Sequence, residues 1–270
     1  MTPAVDPVAV FLDWAEHDLR RSTHTVARYR AVLGQFPNPI EASVGEVEAW
    51  WATRTDRAPA TRENELACLR SFYKWATRFD YRADDPTRRL TPPKVDNAYP
   101  RPIARADLAR ALDACDEKGL PDLRRAIVLG AYGGLRVSEA AALDWDQVDL
   151  ENRMLRIRGK GRKERLAGVS PKLLDEILPR PAKGGNVITA GGKPYSADSL
   201  QRRVNRFLQS LGLDTTFHRL RARYVTQGIS ETGDIYAVAR AVGWASIETA
   251  KHYAELSDDA LHRIAAAASR

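Results

Sequence analysis

The sequence predicts a mainly α-helical protein of two domains, with a small β-hairpin in the second. Apolar residues recur at helical spacing through residues 8–79, and five prolines interrupt any periodicity between Asp84 and Pro102. Residues 148–169 alternate apolar with basic side chains about Gly159-Lys160-Gly161, which is a hairpin pattern. An all-α domain over residues 1–83, a linker over 84–102 and a second domain over 103–270 follow.

In the first domain Val8, Phe11, Leu12, Ala15 and Leu19 form the stripe of an amphipathic helix over residues 8–20. Ser22 or Thr23 caps a second, with Val26, Tyr29, Leu33 and Phe36 as its apolar side. Ser43-Val-Gly-Glu46 is a capping-box pattern that opens a short helix through Trp50 and Trp51. A fourth helix spans 61–79, with Leu66, Leu69, Tyr73 and Ala76 on one side. Arg62, Arg70 and Lys74 fall broadly on one polar flank of it. Such a flank is either a solvated face with i,i+4 pairs or the lining of a DNA groove. The prolines that follow make the linker extended and stiff, which suits two lobes closing around a rod-like partner.

Leu108, Ala111 and Leu112 begin a new helix, and residues 120–143 read as two buried helices broken at Gly133-Gly134. Arg136 follows the glycine pair, and Glu139, three residues on, is placed to buttress its guanidinium. A buried arginine needs its five donors satisfied, so a structural ion pair explains this pattern as well as a functional site does. In the hairpin, Leu155 and Ile157 face the core, Arg156 and Arg158 face outward, and Lys160 stands at the tip. Seven basic residues, Arg162 and Lys163 among them, fall between Arg153 and Arg165 against one acid, which favours a finger into nucleic acid over a solvated hairpin. Residues 182–200 read as linker-like, with Ser196 or Asp198 capping a helix that carries Arg202, Arg203 and Arg206. His218 and Arg221 stand three apart on one face of a further helix, which also bears Arg223. Trp244 precedes Tyr253 by nine residues, and its indole can pack a site while its single N–H donates. The last residues, from Ser257, read as a short helix and then a tail, mobile or docked on a partner.

The formal charge of +7 with a pI near 9.5 points to a polyanionic partner. The excess lies in the second domain: residues 96–270 carry 28 Lys+Arg against 22 Asp+Glu, residues 1–95 only 14 against 13. Arginine supplies 33 of the 42 basic residues, which a GC-rich coding genome explains by itself. No apolar run approaches the roughly 20 residues that span a bilayer, and the N-terminus is acidic where a signal peptide is basic, so a cytoplasmic protein without membrane association is expected. Two cysteines far apart, Cys68 and Cys115, suggest neither a disulfide framework nor a thiolate metal site.

Arg136 within GLRVSE, Lys160 in a basic hairpin, His218-x-x-Arg221, Gly243-Trp244 and Tyr253 occur in order. With STHTVARYR, LRSFYKWATRFD and the DDP and PPK of the linker, these motifs make the whole chain resemble the tyrosine recombinases, the phage integrase family. The resemblance implies an all-α core-binding domain plus a tyrosine-recombinase catalytic domain. The few residues ahead of the first helix imply a short form without an arm-binding domain.

The resemblance also implies roles. Tyr253 is the nucleophile that conserves bond energy as a 3′-phosphotyrosyl link, and Arg136 and Arg221 donate to the non-bridging phosphate oxygens. His218 donates to the phosphate or accepts the Tyr253 proton, Lys160 protonates the leaving 5′ oxygen, Trp244 completes the pocket, and Glu139 orients its neighbours. Arg62, Arg70, Lys74, Arg158, Arg162, Lys163, Arg202, Arg203, Arg206 and Arg223 are the candidate DNA contacts. No metal or nucleotide cofactor is implied. Expected partners are double-stranded core-site DNA, three further copies in a synaptic homotetramer formed from a free monomer, and an accessory directionality factor. Two departures stand out: Trp244 occupies a position where many members carry histidine, and Ala222 one where many carry a second histidine. The rivals are a type IB topoisomerase-like relaxing enzyme, against which the core-binding motifs argue, and a non-catalytic DNA-binding protein on a recombinase scaffold, against which the intact motif positions argue.

Overall fold

The computed structural model describes residues 6–94, 101–158, 164–180 and 184–244. The chain divides into two compact units, Met1–Asn97 and Ala98–Arg270.

The first unit holds helices α1 (Pro7–His17), α2 (Thr23–Leu33), α3 (Val44–Ala52) and α4 (Pro59–Arg78). Local sequence fixes their starts: Asp6 accepts the Val8 N–H ahead of Pro7, Ser22 accepts that of Thr25, and Ser43 and Glu46 close a reciprocal capping box. The helices bury an aromatic centre in which Phe11 lies 5.1 Å from Tyr29, 5.3 Å from Phe72 and 5.5 Å from Trp75, centroid to centroid. The buried Tyr73 hydroxyl donates to the Pro39 carbonyl at 2.9 Å, so its polar end is satisfied. Helix α1 stops at His17, and Leu19, which the spacing places on its buried stripe, is exposed. Residues 84–90, assigned to the linker by proline content, also pack on this unit. Asp85 accepts from the Thr87 N–H and hydroxyl, Leu90 is buried, and its carbonyl accepts from Arg70 at 2.6 Å.

The second unit is built around α6 (Pro121–Ala131), which is buried along most of its length and packs against α5 (Arg105–Glu117), α7 (Val137–Ala142), α8 (Pro171–Ile177), α9 (Ala197–Ser210) and α10 (Phe217–Thr232). Residues 126–131, the second half of α6, are apolar on every side, which places them at the centre. It meets α10 where Gly130 faces Leu220 and Phe217, and this approach sets the height of His218 and Arg221 against the turn that follows α6. Helix α11 (Ile235–Val242) packs on α10. Beside the helices lies an antiparallel sheet in the order β1 (Val148–Asp149), β2 (Met154–Arg158), β3 (Glu164–Gly168).

The hairpin alternates as expected, with Leu155 and Ile157 buried and Arg156 and Arg158 exposed. Its register pairs Ile157 with Arg165 and Arg156 with Leu166. Arg165 therefore shares the inward face with Ile157, while Leu166 points outward and is 60% exposed. The linker-like reading of 182–200 is corrected. Val187 and Ile188 are buried, the Val187 N–H donates to the Leu143 carbonyl at 2.9 Å, and β4 (Thr189–Ala190) and β5 (Lys193–Pro194) form a small ladder. Ser196 caps α9. Both cysteines are free and buried, and burial pushes the thiol pKa of Cys68 to about 11 and of Cys115 to about 12, as befits packing residues. Among the described residues no helix is long and apolar enough to cross a membrane.

Candidate active site

Three chain segments meet at Glu139: the start of α7, strand β3 and the first turns of α10. Gly134, at φ +63°, turns the chain out of α6 and lies against the Tyr224 ring. The chain then runs extended through Arg136 into α7. The Arg136 N–H donates to Glu139 Oε2 at 2.7 Å, so the carboxylate satisfies an open backbone donor of the first turn. Arg136 Nη1 binds the other oxygen at 2.9 Å, and Arg165 Nη2 reaches Oε2 at 3.0 Å from β3. Arg221 Nη1 lies 3.7 Å from Oε2. One carboxylate with 5% side-chain exposure thus faces three guanidiniums.

The C-terminal end of α11 is the second anchor. Arg221 donates to the Val242 carbonyl at 2.7 Å and to the Gly134 carbonyl at 2.6 Å. Arg136 Nη2 donates to the Gly243 carbonyl at 3.0 Å. Carbonyls at a helix C-terminus carry the negative end of the helix dipole, so they hold cations well. Gly243 ends α11 in the left-handed conformation, φ +66°. Arg221 is nearly fully buried, whereas the Arg136 side chain is 44% exposed and gives the cluster an outward cationic face.

His218 stands in the first turn of α10, one turn before Arg221. It is exposed, yet its pKa lies below the ordinary histidine value, chiefly through desolvation by the surrounding protein and then through the Arg221 and Arg136 charges. The neutral imidazole favoured there has one donor and one acceptor nitrogen. Trp244 packs against the buried cluster of Ala222, Val225, Ile229, Val238 and Val242. Arg136, Glu139, His218 and Arg221 are thereby brought together, with Trp244 close by in sequence and packing. Lys160 and Tyr253 lie outside the described residues.

A model of the phage integrase family matches residues 103–260. The chain belongs to this family. It is similar to the tyrosine recombinase XerC of Rhodospirillum centenum, 32% identical over 280 residues that cover 92% of this chain and 82% of that protein. The tyrosine recombinase XerD of Xanthomonas campestris pv. campestris is 30% identical over 276 residues, covering 90% and 85%. In fold alone this chain resembles a chain of the lambda integrase tetramer bound to a Holliday junction, with TM-score 0.72 and 17% identity over 91% of this chain and 76% of that one. The tyrosine recombinases are enzymes that cleave and rejoin DNA, and this one is mainly helical with small sheets, as the motifs predict.

The basic residues of this recombinase divide into two groups. Lys74, Arg202 and Arg206 are exposed, and Arg158 is exposed while pairing with Glu164 at 3.2 Å. The Arg62 guanidinium covers the Trp51 ring, 4.6 Å from its centroid. Arg70 and Arg223 direct donors inward, to the Leu90 carbonyl and, at 3.2 Å, to that of Ile103. Arg203 pairs with Asp122 at 3.0 Å, and Asp122 also accepts from the Tyr195 hydroxyl. Arg162 and Lys163 lie outside the described residues. Arg165 was missed by sequence reasoning, because its inward position depends on strand register.

Gly134→Ala tests the turn that sets Arg136. A Cβ there meets the Tyr224 ring at 2.5 Å in a left-handed conformation, so the variant is expected to lose at least about 2 kcal/mol in urea unfolding. A loss under about 0.5 kcal/mol contradicts this geometry.

Proposed function

We propose that this recombinase performs site-specific strand exchange on DNA, with Tyr253 attacking the scissile phosphate and forming a 3′-phosphotyrosyl intermediate. The observation that carries the reading is the Glu139-ordered pair Arg136 and Arg221, held at the α11 carboxyl end one helical turn from a neutral His218. Preorganised guanidiniums stabilise charge that develops on non-bridging oxygens without reorganising during the reaction. His218 accepts the Tyr253 proton, Lys160 delivers a proton to the leaving 5′ oxygen, and Trp244 shapes the pocket wall. Arg62, Lys74, Arg158, Arg202 and Arg206 contact the duplex backbone, with Arg162 and Lys163 at the hairpin. Residues 1–83, with 84–90 packed on them, serve as a core-binding domain, the rest of 84–102 as the connection and 103–270 as the catalytic domain. The working assembly is a homotetramer on two core sites, and an accessory protein sets direction.

The low His218 pKa gives a pH test. Cleavage by a neutral imidazole is flat through neutrality and falls as acid protonates His218 below about pH 6.5, towards a tenfold loss per unit. The unfolded histidine takes up its proton first, so its contribution to stability is present above about pH 6.5 and is lost on acidification. Single-turnover adduct formation on a nicked duplex, chosen from a random library by the wild-type protein, reads the profile. His218→Gln should lose most of the rate and its acid limb. An unchanged rate removes His218 from proton transfer. Relaxation of supercoiled plasmid without paired sites, in the absence of recombination, favours a topoisomerase.

A further inference from the structure

Glu139 presents a physical problem within this site. A buried carboxylate orients Arg136 through two contacts, but it also cancels positive charge beside the place where a phosphodiester gains negative charge in its transition state. Arg136 and Arg221 alone against Glu139 leave a surplus of one positive charge. Arg165 raises that surplus to two, and it does so from behind.

Arg165 comes from the inward face of β3, with 13% side-chain exposure, and binds Glu139 Oε2 at 3.0 Å. Its Nε and Nη1 are buried without a hydrogen-bond partner among the described residues. A Cβ on residue 243 would stand 2.7 Å from Arg165 Cδ and 2.8 Å from Nε, so the α11 cap lies directly on this side chain. Arg165 is therefore enclosed between Glu139 and Gly243, and Arg136, at 44% side-chain exposure, is the more open of the two guanidiniums.

We propose that Arg165 is a positioning residue that neutralises Glu139 from the hairpin side, so that Glu139 orients Arg136 without cancelling the charge Arg136 and Arg221 offer to phosphate. The proposal rests on the recombinase reading above. It also ties strand β3, which leads from the Lys160 hairpin, to the end of α11, from which the chain continues towards Tyr253.

A charge-specific cycle tests it. Arg165→Met cuts the surplus from two positive charges to one and should slow single-turnover adduct formation on saturating nicked duplex by on the order of 10- to 100-fold. Duplex affinity should stay within about threefold, since most DNA contacts are elsewhere. Arg165→Lys, which keeps the charge, should fall between Arg165→Met and wild type. Arg165→Met combined with Glu139→Gln should recover at least about tenfold over Arg165→Met, because removing both charges restores the balance. A purely structural role gives no recovery, and either that result or a wild-type rate for Arg165→Met overturns the proposal. If Arg165→Met does not fold by circular dichroism, Glu139→Gln should restore folding; its failure to do so overturns the proposal equally. Inorganic phosphate separates this idea from the recombinase reading. Phosphate should raise the thermal midpoint of the wild type more than that of Arg165→Met, whether or not DNA is cut. A wild type that forms no adduct but shows this difference disposes of the recombinase reading alone, whereas equal shifts overturn the role of Arg165.

Discussion

Replacing Arg221 with methionine is expected to slow DNA cleavage by on the order of 10³-fold, the range seen when a preorganised charge donor is removed. Arg221 is 5% exposed and bridges the Gly134 and Val242 carbonyls. The loss is therefore both chemical and structural: the variant takes a buried donor from the Gly134 carbonyl, leaves the Val242 carbonyl only the 3.4 Å contact from Arg136, and lowers stability by about 3 kcal/mol. Arg221→Lys separates the two contributions. An ammonium keeps the charge but cannot span two carbonyls in a fixed plane, so a loss of about 10²-fold is expected even where urea unfolding shows most of the stability retained. Single-turnover rates measured beside unfolding midpoints read both quantities. A lysine variant within a few fold of wild type contradicts the view that guanidinium geometry, rather than charge, matters at this position.

Tyr253→Phe is expected to abolish the covalent adduct while leaving folding and duplex binding nearly unchanged. A phenol with a pKa near 10 is only about 0.1% ionised at neutral pH, so its activation as a nucleophile costs about 4 kcal/mol. In the proposed mechanism a cationic pocket and a neutral imidazole lower that cost, and removal of the phenol oxygen leaves no nucleophile. Gel shift on the selected duplex should show the variant binding like wild type. Adduct formation by the phenylalanine variant contradicts the assignment.

The residues that sequence reveals best here are those whose partners are local. Arg136 and Glu139, three apart, form the ion pair that helical spacing predicts, and the Ser43–Glu46 capping box closes as written. The alternation about Gly159-Lys160-Gly161 yields the hairpin with Leu155 and Ile157 inward. Long-range packing was less visible. Arg165 sits beside the apolar Leu166, and hydrophobicity alone turns the leucine inward; cross-strand register places the arginine there instead. Residues 184–195, rich in glycine, resemble a linker until Val187 bonds Leu143 and Ile188 enters the core. Leu90 follows a proline-containing turn and is buried all the same, because Arg70 holds its carbonyl. Helix α8, seven residues long, offers too few turns for a periodic signal, though Ser170 and Pro171 mark its start. At Gly243 a Cβ would run into Arg165 lying directly underneath, a constraint that no local pattern encodes.

In the proposed mechanism the arginine cluster ordered by Glu139 serves Tyr253. Tyr224 lies beside the cluster: its ring packs on Gly134, and its pKa is raised, burial outweighing the nearby charges of Arg165 and Arg221. The decisive measurement is to trap the adduct on a nicked duplex, digest it, and identify the tyrosine that carries the nucleotide by mass spectrometry. Modification of residue 253 alone, lost in Tyr253→Phe, is the predicted result. Nucleotide on Tyr224, or an adduct that survives Tyr253→Phe, contradicts it.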